Sequence, residues 1–230
     1  MDRVLTAARL HVMHPLVILG VPWLVALSSF AINIAVWGVL VGREAGAVTG
    51  GIASLYVTVM VVFAQSVSQL LPFAMGLGLS RRTFYAGTAL VAGAQALAFG
   101  LVLSALTAVE DVTGGWGVGL QFWSPAGVDV DDAAVQVIVS GAPTLAAAAL
   151  GVGFGVVLKR WGTTGVWALV IGATLALAGL VALTTALDRW SDIWSWTLDQ
   201  STVTFMVLLP TVAALAIGGL SFVGLRKVVP

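Results

Sequence analysis

Six stretches of this chain are each long and apolar enough to cross a bilayer: about 15–41, 51–79, 84–109, 133–158, 163–187 and 202–225. A helix needs about 20 mainly apolar residues to span the hydrocarbon. Water is absent there, so each backbone amide must find its partner within the segment or in a closed barrel. Barrel strands alternate apolar and polar residues over about ten positions. Stretches such as LVAGAQALAFGLVLSAL (90–106) are instead apolar on all sides. The expectation is an all-α integral membrane protein of six spans forming one transmembrane domain over 1–230. Composition agrees: 60% of the 230 residues are hydrophobic and 9% are charged, against about 25% charged in soluble domains. The apolar run from Pro15 to Val41 also exceeds the roughly 7–15 residues of a signal-peptide core, which predicts a retained first span.

Charge placement orients the spans. Alternate connections put Arg3, Arg9, Arg81, Arg82, Lys159, Arg160, Arg226 and Lys227 on one side, and only Arg43 and Arg189 on the other. Glu44, Glu110, Asp111, Asp129, Asp131, Asp132, Asp188, Asp192 and Asp199 join that second pair. Because Lys and Arg favour cytoplasmic loops, both termini are expected in the cytoplasm. Arg81–Arg82 then read as a tight turn between spans two and three, and Lys159–Arg160 as its twin between spans four and five. The formal net charge is zero, so nothing points to nucleic acid as a partner.

The connections carry weaker signals. Asp129, Asp131 and Asp132 cluster in the outer loop, but D-x-D-x-D-G with a distal Glu is missing; Asp131 and Asp132 suit the positive N-terminal end of helix four. No metal is expected. In DRWSDIWSWTL (188–198), Trp190, Ile193, Trp194, Thr197 and Leu198 share one helical face. That predicts an amphipathic segment in the outer interface. Residues 2–14 could form a surface helix with Leu5, Ala8 and Val12 as its apolar face.

Polar groups in hydrocarbon are costly and face protein or a cavity. Asn33, Gln65, Gln69 and Gln95 are such groups, and they either bond across packed helices or line a path. Gly151 and Gly155 make a GxxxG face suited to close packing. No acid or base lies well inside a span, which disfavours a proton-coupled carrier. His11 and His14 are the only histidines and both precede span one; they read as interfacial residues and exclude intramembrane bis-histidine haem ligation. There is no cysteine, which removes disulfides, thiolate metal sites and cysteine nucleophiles. No serine–histidine pair and no G-x-x-x-x-G-K-[ST] loop exists, so the chain is expected to be neither an intramembrane hydrolase nor an ATPase.

Three stretches resemble the permease subunits of ABC-2-like exporters, of the short actinobacterial kind. They are RLHVMHPLVILGVPWLVALSSFAINIAVWGV near the N-terminus, FAMGLGLSRRTFYAGTAL with its arginine pair, and the closing GGLSFVGLRKVVP. Gly76 and Leu79 depart mildly from the family's usual alanine and valine. The resemblance implies a bacterial plasma-membrane protein that exports a hydrophobic or amphipathic substrate (lipid, drug or peptide). Ser80, Arg81, Arg82 and Thr83 would couple it to a separate ABC ATPase subunit, which alone binds ATP and Mg. A second permease copy, identical or paralogous, would complete the path, and 188–198 would match the family's re-entrant element between spans five and six. A non-transporting scaffold or sensor is the rival expectation, and an integral-membrane enzyme is disfavoured by the shortage of catalytic residues.

Overall fold

The computed structural model describes residues 2–38, 47–124, 128 and 130–226. Arg43, Glu44, Asp129 and Lys227, whose sides were assigned above, lie outside the described residues. The described chain is almost entirely helical: α1 Asp2–Val12, α2 Leu16–Val36, α3 Ala53–Gly76, α4 Arg81–Val112, α5 Ala133–Ala186, α6 Trp190–Asp199 and α7 Thr204–Leu225. Two short strands, β1 Ala47–Val48 and β2 Leu120–Gln121, pair in parallel beside them.

Five of these helices (α2, α3, α4, α5 and α7) are long and apolar enough to cross a membrane, against six expected. The difference lies in α5, where the fourth and fifth expected segments form one run of 54 residues. At 1.5 Å per residue an unbroken helix of that length would reach about 80 Å, far beyond a hydrocarbon core of about 30 Å. It is not unbroken. Gly162 stands at φ 66°, ψ −160°, a backbone region open almost only to glycine, and divides α5 into arms at 133–161 and 163–186.

Proline shapes both ends of the bundle. α2 and α7 each open on a π-helical turn, Leu16–Gly20 and Thr204–Leu208, and the turn is followed two residues later by Pro22 or Pro210. Proline has no N–H for the carbonyl four residues back, and its ring crowds that carbonyl. The helix accommodates it by widening, with Val21 N–H donating to Leu16 O and Leu209 N–H to Thr204 O.

The first arm of α5 is the spine of the molecule, in contact with α3, α4 and α7. Lipid is as apolar as leucine, so helices in a membrane associate through close packing and interhelical hydrogen bonds. Glycine permits that packing. A Cβ on Gly155 would stand 2.7 Å from Val67 Cβ, and one on Gly151 would strike the Met60 carbonyl, so the GxxxG pair seats α3. Gly100 and Gly141 lie back to back in the same way between α4 and α5. Leu55, Val59, Phe63, Phe84 and Leu103 fill the core between. The second arm of α5 is different: across 163–186 only Thr184 is buried.

α1 packs differently from its expectation. Leu5 and Val12 are exposed, while Ala7, Ala8, Leu10 and His11 are buried. Ala7 and Ala8 sit against Gly87, where a Cβ would come within 2.7 Å of Ala7 Cβ. Small residues allowing close approach, rather than large apolar ones, set this face. His11 is therefore no free interfacial residue. Its Nδ1 lies 3.1 Å from Ala7 O and its Nε2 3.1 Å from Thr88 Oγ1, with the ring beside Phe84.

Several arginines gather at one end of the bundle. Arg81 and Arg82 start α4, Arg160 ends the first arm of α5, and Arg226 ends α7. Arg81 Nη1 donates to Arg226 O at 3.1 Å, and Gly224 packs on Val156, so these termini adjoin. Glu110 and Asp111 stand at the far end of α4, and Asp131 and Asp132 precede α5.

Candidate functional site

Ser80, Arg81, Arg82 and Thr83 do not form a turn. The turn is Leu77–Ser80, with Gly78 at φ 75°, and Arg81 is the first residue of α4. Ser80 is its N-cap: Thr83 N–H donates to Ser80 Oγ at 3.1 Å, and the two hydroxyls lie 2.8 Å apart. Two arginines at a helix N-terminus oppose the helix dipole. Arg81 offsets this by reaching the C-terminal end of α7, where the dipole is negative, and donating to Arg226 O. Its Nε is buried without a partner. Arg82 is exposed. Among the described side chains the one ion pair is Arg189–Asp192 at 2.6 Å, so no carboxylate pairs with Arg81, Arg82 or Arg226.

The four intramembrane amides do not converge. Gln95 is buried and its Nε2 donates to Ile18 O at 3.0 Å. Ile18 is the residue whose carbonyl Pro22 leaves without a backbone donor, so Gln95 closes the gap that proline opens in α2. Asn33 folds back on its own helix, Nδ2 donating to Ser29 O at 2.8 Å. Gln65 and Gln69 are exposed on one face of α3. Gln65 lines a cleft of about 420 Å³ at the Gly162 joint, with Ser68, Phe154, Leu158, Thr163 and Trp167.

The expected amphipathic segment 188–198 is the helix α6, with no residue buried. Trp190, Ile193, Trp194 and Leu198 are all exposed. Trp190 Nε1 donates to Thr185 Oγ1 at 3.0 Å, and Trp196, on another face, meets Phe205 of α7 edge-on.

Sequence reasoning passed over the most elaborate polar site, Glu110. Its carboxylate is buried and accepts from Trp116 Nε1 (3.0 Å) and from the backbone N–H of Phe122 (2.9 Å), Trp123 and Ser124 (both 3.1 Å). It thereby gathers the outer loop into a cap, which Phe30 of α2 joins by ring contacts with Trp116, Phe122 and Trp123. The signal was the glycine-rich run GGWGVG (114–119), beginning four residues after an acid in the last turn of a helix, a chain able to turn back on that acid. Asp132 is likewise occupied, its Oδ1 accepting from Ala134 and Val135 N–H at the start of α5.

A second cleft, of about 510 Å³, opens between α4, the first arm of α5 and α7. Tyr85 and Thr88 are its polar side chains. Tyr85 O–H crosses it to donate to Gly218 O at 2.7 Å. Comparison with protein-family models, curated proteins and solved structures gives no match to this chain.

Proposed function

We propose that the chain is the membrane-spanning permease subunit of an ATP-driven ABC exporter in a bacterial plasma membrane. In this reading both arms of α5 cross the bilayer, giving six spans with both termini and the basic end in the cytoplasm. A separate ATPase subunit, which binds ATP and Mg, docks beneath, and a second permease copy faces the first. The substrate is hydrophobic or amphipathic.

The observation that carries the reading is the start of α4. Ser80 caps it, Arg82 is exposed and has no acidic partner among the described side chains, and α1 packs alongside. A soluble partner with carboxylates could seat there, and the chain has no phosphate-binding loop of its own. Planar guanidinium groups hold carboxylates in two-point contacts that lysine cannot reproduce. Changing Arg81 and Arg82 together to Lys should leave membrane insertion intact and lower ATP turnover in the assembled complex about tenfold, the size of one lost charge-assisted contact. The isolated chain should hydrolyse no ATP. Turnover by the single chain, or full activity of the double-lysine complex, would reject the coupling role.

One observation favours the rival, a non-transporting scaffold: Gln95, the buried amide, is spent on holding helices together. Copurification with an ATPase separates the two readings.

A further inference from the structure

The 510 Å³ cleft between α4, α5 and α7 falls within the roughly 300–1,000 Å³ of small-molecule sites. Its walls are mostly small or apolar: Ala89, Ala92, Ala148, Val152, Gly218 and Phe222 among them. Along α4 it runs from Tyr85 to Ala92, seven residues or about 10 Å. The hydrocarbon of one leaflet is about 15 Å deep. The cleft is therefore long enough to run through much of one leaflet, and Ala89, Leu215 and Gly219 on its walls are exposed.

What distinguishes it from an ordinary lipid-facing groove is its basic end. Arg81 lies one helical turn before Tyr85, and Arg226 one turn after Phe222, with its guanidinium 4.6 Å over the Phe222 ring. Arg81 reaches the backbone carbonyl of Arg226, so both arginines lie beyond the same end of the cleft. Neither has a carboxylate partner among the described side chains, and Arg81 Nε is buried without an acceptor. Basic pockets between membrane helices attract anionic headgroups, and guanidinium matches phosphate geometry.

We propose that this cleft holds one anionic phospholipid, an acyl chain lying along Ala89, Leu215 and Gly219 on the open side of the Tyr85–Gly218 hydrogen bond and the headgroup phosphate on Arg81 and Arg226. The site needs neither an ATPase nor a second copy. It leaves Arg82 free for other contacts.

The test uses the full chain in mild detergent, titrated with phosphatidylglycerol or phosphatidylcholine of identical acyl chains and read by native mass spectrometry. One phosphatidylglycerol should bind, preferred over phosphatidylcholine by about 30-fold for two arginines at about fivefold each. R226Q should lower the preference about fivefold, and R81Q should match it, giving a second readout if one variant folds poorly. R82Q should leave the lipid preference unchanged. A89W, at an exposed position on the wall, should weaken both lipids. Equal binding of the two lipids would overturn the proposal, as would a preference unchanged in both glutamine variants. Glycerol phosphate competing as well as the whole lipid would overturn the acyl-chain role. Cross-linking of A89C between two lipid-free copies would assign the cleft to a second copy instead.

Discussion

Glu110 places a carboxylate at the C-terminal end of α4, where the helix dipole disfavours one. Four N–H donors make the position tenable and make the outer cap depend on it. Glu110→Gln turns one oxygen into a donor facing donors. Amide exchange at Phe122, Trp123 and Ser124 should quicken by roughly 30-fold, for about 2 kcal/mol lost from charged hydrogen bonds; unchanged exchange would dismiss the anchoring role. Gln95 makes a sharper case, because its partner exists only through Pro22. Gln95→Leu should cost about 1 kcal/mol, a usual size for such bonds in membranes. In a Pro22→Ala background, where residue 22 regains its N–H, the same change should cost clearly less. Additive costs in reversible unfolding would break the link between the two. The need for a donor at Ile18 was readable from Pro22 alone. Which of four amides would supply it was not, since that depends on how α4 lies against α2.

The helices themselves were legible, because hydrocarbon demands long apolar runs and the chain supplies them. What hydropathy cannot show is a helix kept in place by small residues, and so the buried face of α1 was misjudged. That face makes α1 sensitive to pH. Burial holds the His11 imidazole below its usual value of 6.5, outweighing the Ala7 carbonyl, which acts the other way. The docked helix thus binds fewer protons at this site than an undocked one. Docking stability rises with pH through this window and falls as pH drops below about 6.5. Mild acid should loosen α1 from α4, seen as faster proteolysis near Arg9, and His11→Gln should remove the pH dependence. A wild-type cleavage rate that stays flat between pH 7.5 and 5.5 would refute it. The join in α5 was also beyond hydropathy, which sees two apolar segments but not that Gly162 alone separates them.

Across the whole molecule the basic and acidic ends are now supported by contacts, Arg81 on Arg226 at one end and the Glu110 cap at the other. If the basic end is cytoplasmic, a cysteine at Asp131 should react with an impermeant reagent from outside and one at Leu77 should not. Leu187 decides the span count. Labelling of a cysteine there from outside means that 163–186 crosses the bilayer; protection of Leu187 while Asp131 labels would overturn the six-span arrangement. Side of insertion could be argued from arginine positions alone, because that rule counts charges. The clefts could not, since each is walled by helices distant in sequence.

The bond between Gln95 and Ile18 also sets an order of events during synthesis. Its partners are 77 residues apart, which a ribosome covers in about 4–15 s at 5–20 residues per second. Throughout that interval the first span must sit in or beside the membrane with one carbonyl unanswered. The newborn segment is an unfinished helix, held by water or by the insertion machinery, until the third span arrives to complete it.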